Sequence, residues 1–139
     1  MIKSVLIIDD DERTKSIVSY FELYSNSEII VDWAQTIKDA IELIESKVYN
    51  VILCDLMMPP ETFYFNDKEF HFNEEDSLNG RKIIEYCVNK VIEKETKIII
   101  TSAAMTRSKQ LVEKYSHAIE MFVKPFNIND LLEKIENIH

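Results

Sequence analysis

The chain reads as an α/β protein, a doubly wound sheet of five parallel strands with helices on both faces. Short apolar runs alternate five times with stretches of helical periodicity, as consecutive strand–helix units do. Those runs are continuously apolar, which is what strands covered on both faces require. The length of 139 residues, 46% of them hydrophobic, suits a single domain, 1–139, able to bury a full core.

The first run is Val5, Leu6, Ile7 and Ile8, and Asp9, Asp10 and Asp11 stop it. From Glu12 the period lengthens, with Ile17, Val18, Phe21 and Tyr24 at helical spacing. Ile29, Ile30 and Val31 form the second run. Thr36 with Asp39 resembles a capping box, and Ile37, Ala40, Ile41 and Ile44 share the face of the helix that follows. Val51, Ile52, Leu53 and Cys54 make the third strand, closed by Asp55. Ile83, Ile84, Cys87, Val88 and Val91 mark the third helix. Ile98, Ile99 and Ile100 form the fourth strand, ending at Thr101 and Ser102, and Leu111, Val112 and Tyr115 lie on the fourth helix. Residues 119–123 are the fifth strand, stopped by Lys124 and Pro125. Asn127 is placed to cap a last helix whose inner face is Ile128, Leu131, Leu132, Ile135 and Ile138.

One segment breaks the rhythm. About 24 residues separate Asp55 from the third helix, where such a loop usually takes about 2–6. Aromatic residues alternate in residues 62–65 and 70–73 around Asn66, Asp67, Lys68 and Glu69. That pattern predicts a β-hairpin with a four-residue turn inside an insertion spanning roughly 60–77. Phe63, Phe65, Phe70 and Phe72 are expected to pack back on the domain; the alternative is an exposed docking or dimer surface.

Composition narrows the partners. The chain has 16 basic and 25 acidic residues and a net charge of -9. That field repels phosphate backbones, which argues against nucleic acid, and favours divalent cations. Cys54 and Cys87 sit in apolar runs, as reduced buried thiols of a cytoplasmic protein do. No leader segment is evident and no apolar run approaches the ~20 residues of a membrane helix. The only glycine is Gly80, so a specific backbone need is expected there. His71, His117 and His139 lie on no metal-ligand spacing and are expected at the surface.

Ligands of an open parallel sheet bind at the carboxyl ends of its strands. Here those ends carry Asp9 and Asp10, Asp55, Thr101 and Ser102, and Lys124. Carboxylates ~4–6 Å apart repel by about 3–4 kcal/mol per pair at an effective dielectric near 20. Lys124 supplies a single positive charge, so a hard cation, Mg²⁺, completes the site. The cation and Lys124 then form an anion site for phosphoryl oxygens, and a carboxylate can act as nucleophile. Asp55, alone at the end of a central strand, is best placed for that. The bland reading is that Asp9, Asp10 and Asp11 merely cap the first helix and that Ser102 and Lys124 merely end strands.

Leu6-Ile7-Ile8-Asp9-Asp10, Leu53-Cys54-Asp55-Leu56-Met57-Met58-Pro59, Ile100-Thr101-Ser102-Ala103 and Lys124-Pro125-Phe126 together resemble the response-regulator receiver domain of two-component signalling. The resemblance spans the chain apart from the insertion. It implies a flavodoxin-like sheet of order 2-1-3-4-5. It implies that Asp55 accepts a phosphoryl group from a sensor histidine kinase or phosphotransfer protein, and that the domain is no ordinary enzyme but assists its own phosphorylation and slow dephosphorylation. Asp10 would bind Mg²⁺ directly and Asp9 through water, with Asp55 and the Met57 backbone carbonyl as further ligands. Ser102 would move towards the phosphoryl group, Lys124 would pair with one of its oxygens, and the bond before Pro125 would be cis. A downstream protein would read the face of the fourth helix, fifth strand and fifth helix; a dimer through that face or the insertion is a further option.

Three features depart from the family. Gly80, aligned with a glycine before the third helix, lies 25 residues after Asp55. Met121 stands where an aromatic switch residue is usual. Ser116, His117 and Ala118 replace a Gly-Ala pair before the fifth strand. The two side chains that tune hydrolysis in the family fall at Met57 and Ala104, and neither can hydrogen-bond a water. Two other functions compete: a receiver-like interaction module that is never phosphorylated, and an aspartyl-nucleophile phosphatase of the dehalogenase type. The phosphatase would need a second acid two residues after the nucleophile, where Met57 stands.

Overall fold

The computed structural model describes residues 2–25, 28–74, 76–91, 95–103, 105–115 and 118–138. In chain order its elements are β1 (Ile2–Ile8), α1 (Thr14–Tyr24), β2 (Glu28–Ala34), α2 (Ile37–Ser46), β3 (Val51–Cys54), β4 (Glu61–Phe65), β5 (Lys68–Phe72), α3 (Asp76–Val91), β6 (Lys97–Ser102), α4 (Met105–Lys114), β7 (Ile119–Val123) and α5 (Ile128–Glu136). The five apolar strands form one parallel sheet of order β2-β1-β3-β6-β7. That is the expected 2-1-3-4-5 order once the hairpin strands β4 and β5 are set aside. Ile8 pairs with Cys54, and Cys54 with Ile100, so the carboxyl ends of β1, β3 and β6 are level.

Strand alternation divides the core into two layers. Leu6, Ile8, Ile52, Cys54, Ile98 and Ile100 face one way, onto Ala40 and Ile41 of α2, Ile83 and Ile84 of α3, and Leu111 of α4. Val5, Ile7, Val51, Leu53 and Ile99 face the other way, onto Phe21 of α1 and Leu131, Leu132 and Ile135 of α5. Each fully buried Val, Leu, Ile or Phe among them contributes about 1.5–3 kcal/mol of transfer free energy. Two expected caps form: Thr36 Oγ1 accepts the N–H of Asp39 at 3.1 Å, and Asn127 accepts those of Asn129 and Asp130. No helix among the described residues is long and apolar enough to cross a membrane.

Three local expectations are corrected. The helix α1 begins at Thr14, not Glu12, because Asp11 first closes a tight turn, its carbonyl accepting the Thr14 N–H at 3.0 Å. The hairpin turn has two residues rather than four. Asn66 and Asp67 both adopt positive φ, 52° and 60°, the geometry that two-residue hairpin turns need and that Asn and Asp tolerate. Lys68 and Glu69 therefore pair within β5, opposite Phe65 and Tyr64. Finally, Gly80 lies inside α3 rather than before it.

The hairpin is seated on the sheet's helical layer. Phe63 and Phe72 are buried, and Phe65 and Phe70 pack against the same core. Phe63, Phe70 and Phe72 stack within 10° of parallel, and Phe70 meets the edge of Tyr86 on α3 at 6.1 Å. Tyr64, on the other face, is exposed.

The position of Gly80 has a specific cause. A Cβ there would lie 1.5 Å from the carbonyl oxygen of Leu56 and 2.2 Å from its carbon. The helix can pack this close to the chain leaving β3 only without a side chain at this point. Gly80→Ala, which gains helix propensity at an exposed site, is expected here to lower stability by about 3 kcal/mol, measured by urea unfolding.

Candidate functional site

Four strand ends converge. Asp9 and Asp10 follow β1, Asp55 follows β3, Ser102 closes β6, and Lys124 follows β7. One carboxylate oxygen from each of Asp9, Asp10 and Asp55 lies within 4.8 Å of the others. Lys124 Nζ donates to Asp55 Oδ2 at 2.9 Å and to Asp9 Oδ2 at 3.0 Å. The sheet thus brings together Asp9, Asp10, Asp55 and Lys124, and Ser102 is buried at the β6 end. The Lys124–Pro125 peptide is cis. Beside the acids lies a cleft of about 570 Å³ lined in part by Asp9, Arg13, Lys124 and Phe126.

The backbone fixes each acid. Asp9 donates its N–H to the Ala34 carbonyl at 3.1 Å, and its own carbonyl accepts the Trp33 indole N–H at 2.9 Å. Asp55 donates its N–H to the Ile8 carbonyl at 2.8 Å, extending the β1–β3 ladder by one bond. The Met57 N–H donates back to Asp55 Oδ1 at 2.9 Å. Both oxygens of Asp55 are therefore occupied, one by a backbone amide and one by an ammonium. Lys124 is held in turn by its N–H on the Ser102 carbonyl at 3.1 Å.

Charge sets the protonation. Burial pushes Asp55 above its ordinary value, against the Met57 N–H and Lys124, with Asp9 adding to the rise. Asp10, open to solvent on one side, is also raised, by burial first and by Asp9 and Asp11 as well. Burial alone would lower Lys124, but its bonds to Asp55 and the charges of Asp55 and Asp9 outweigh it and raise the group. Asp11 stands apart. Arg13 grips its carboxylate at 2.6 Å and holds it down at about 2, so the third acid of the run serves the turn into α1. With three carboxylates against one lysine, the pocket is two charges short of neutrality, and an all-oxygen set of this kind fits Mg²⁺.

The remaining expected residues fall as follows. Met57 is part-exposed beside Asp55. Met121 is half-buried and pairs with Ile100, while Phe122 turns to the opposite face and meets Phe126 at 6.2 Å. Cys54 and Cys87 are free and buried; burial pushes the Cys54 thiol well up and Cys87 to about 12, so neither is a nucleophile at neutral pH. His71 is exposed on the hairpin, 3.4 Å from Glu69. Ala104, Ser116, His117 and His139 lie outside the described residues. Sequence reasoning missed the grip of Trp33 on Asp9. Only the pairing of Trp33 with Ile7 places that indole by the end of β1.

The raised carboxyls give a pH dependence whose sign follows directly. In the metal-free fold Asp55 and Asp10 bind protons more readily than in the unfolded chain. Their contribution favours folding below the ordinary carboxylate value and is lost as pH rises through the raised values. At pH 7 these two carboxyls therefore cost the metal-free fold stability. Asp10→Asn is expected to raise Tm at pH 7 without metal. The gain should vanish in acid, and millimolar Mg²⁺ should raise the wild-type Tm only; thermal melts across pH check this.

No protein-family model matches the chain, and no curated protein matches it. Solved structures match over nearly its whole length. The chemotaxis protein CheY4 of Vibrio cholerae is 21% identical, with a TM-score of 0.70 and 100% of both chains covered. A CheY-like response regulator receiver domain protein from Methanospirillum hungatei is 26% identical, with a TM-score of 0.64, covering 98% of this chain and 92% of that one. The BeF3-activated receiver domain of DrrB, from Thermotoga maritima, is 19% identical, with a TM-score of 0.69 and coverage of 99% and 97%. In three dimensions, then, the chain is built as the receiver domains of response regulators are, and that is its fold.

Proposed function

We propose that the chain is a receiver domain, residues 1–139, in which Asp55 accepts a phosphoryl group from the phosphohistidine of a sensor kinase or phosphotransfer protein. The observation that carries this is the bridge of Lys124 to both Asp55 and Asp9, in a pocket where a third carboxylate lies within 4.8 Å. In the transfer, a carboxylate oxygen of Asp55 forms the new O–P bond as the P–N bond to the histidine breaks and its electron pair returns to the imidazole. Lys124 leaves Asp55 Oδ2 to neutralise a phosphoryl oxygen and keeps Asp9 as its second partner. Asp9, Asp10, Asp55 and the Met57 carbonyl would hold Mg²⁺, which supplies the remaining positive charge for the equatorial oxygens. The Met57 N–H on Asp55 Oδ1 orients the carboxylate before attack.

The new group brings about -1.5 to -2 charges into the pocket. Ser102 and Lys124 answer it from the ends of β6 and β7, so the repacking is felt on the face of α4, β7 and α5, where a downstream protein or a second copy would bind. Met121 sits in that layer as a flexible thioether rather than a ring, which makes its adjustment a repacking and not a ring flip. Two buried, unpaired thiols agree with a cytoplasmic setting. The phosphatase alternative is disfavoured because Met57 offers no second acid.

Two measurements test the proposal. Incubation with a small acyl phosphate and Mg²⁺ should add one phosphoryl group by intact mass, and Asp55→Asn should abolish the gain. No gain in the wild type defeats the phosphoacceptor role and favours the inert module; steady release of phosphate from phosphomonoesters favours the phosphatase. The aspartyl phosphate should then persist for minutes or longer, since the side chain of Met57 cannot orient a water for attack. Loss within seconds, followed by mass, refutes this.

A further inference from the structure

Glu61 opens β4 six residues after Asp55. Its carboxylate does not point to solvent. Oε2 accepts the N–H groups of Ile37 at 3.0 Å and Lys38 at 3.4 Å, at the start of α2. Helix starts leave such donors unsatisfied, and a negative charge there is favoured by the helix dipole. Thr36 takes the N–H of Asp39, so the two side chains divide the free donors of the first turn between them.

This contact closes a ring around the acid pocket. The residues just before α2 are Gln35 and Thr36, and the β2 end before them holds Asp9 from two sides, through the Ala34 carbonyl and the Trp33 indole. In the other direction the chain from Glu61 back to Asp55 is stiff. Pro59 and Pro60 have fixed φ, Met58 and Leu56 are fully buried, and the Leu56 carbonyl lies against Gly80. Asp55 then returns to Asp9 through Lys124. Leu56 and Met58 share the buried core with Ala34 and Ile37, and Glu61 adds to that apolar packing a directional tie from the end of the segment to the start of α2.

We propose that Glu61 is a positioning residue of the pocket. By tying the chain after Asp55 to the junction that grips Asp9, it sets the spacing between the Met57 side and the Asp9–Asp10 side, so the insertion tunes cation affinity without touching the cation. This rests on the Mg²⁺-binding reading above. Calorimetric titration of Mg²⁺ into the full chain, with urea unfolding alongside, tests it on four variants. Glu61→Ala should weaken Mg²⁺ about tenfold, the low end of what loss of a supporting contact does at a metal site. Glu61→Gln should restore most of that, because a single oxygen takes both N–H groups. Ile44→Val trims the buried face of α2 away from that junction; it should lower stability yet leave Mg²⁺ affinity within about twofold. If Glu61→Ala does not fold, Glu61→Asp, one methylene short, should bind more weakly than Glu61→Gln. Wild-type affinity in Glu61→Ala, or equal weakening in Ile44→Val, overturns the proposal while leaving the pocket standing. A wild type that takes up no Mg²⁺ overturns both.

Discussion

The structure turns on a local excess of negative charge that the fold holds together against its own repulsion. Three carboxylates within 4.8 Å share one lysine. Pairwise repulsion of about 3–4 kcal/mol at these separations would spread them apart in a flexible chain. They stay because each leaves the sheet from a strand that cannot shift. The Ile8 carbonyl fixes Asp55, and β2 grips Asp9 by both its N–H and its carbonyl. The apolar core on both faces of the sheet exists, in functional terms, to make those strand ends rigid.

How far this was legible in the sequence follows from what each element depends on. The five strands could be read because a strand buried on both faces must be apolar throughout, a purely local property. The acids and lysine could be read because level strand ends put them in one place whatever the helices do. The hairpin turn reads as four residues because 66–69 are all polar; it closes in two because Asn66 and Asp67 take its positive φ angles, a tolerance that Lys68 and Glu69 lack. Gly80 was legible as a necessity but not as a contact: its neighbour, Leu56, is 24 residues earlier, on the far side of the insertion. Trp33 and Glu61 act by side chains that reach backbone groups of other elements, and no spacing in the sequence announces such a reach.

The insertion is part of the domain's packing and not an appendage. Its inner face puts Phe63, Phe65, Phe70 and Phe72 onto the core layer shared with α2, α3 and α4. A two-stranded ribbon is at best marginal alone in water; this one is held by the aromatic stack below and by Glu61 at its base. The residues between Asp55 and α3 are thereby fixed at both ends, where a loop of this length would otherwise be mobile. A long connection next to the pocket is compatible with a defined pocket only because it carries its own hydrophobic anchor.

Lys124 has two partners before any phosphoryl group arrives, and this shapes what the switch can do. In the proposed transfer it must exchange Asp55 Oδ2 for a phosphoryl oxygen, a local replacement of one anion by another of greater charge. Its bond to Asp9 and its backbone N–H on Ser102 need not break. In that transfer the lysine would act as a fixed pivot, and the new charge would be answered where the structure can yield, at the end of β6 and in the layer of α4 and β7. Met121 lies there, half-buried in β7, and in the proposed switch its thioether, with several accessible rotamers, would follow Ser102 without first vacating a single defined site. On the proposed function, that face would repack in a graded way, set by how far Ser102 moves, rather than exchange between two fixed aromatic positions.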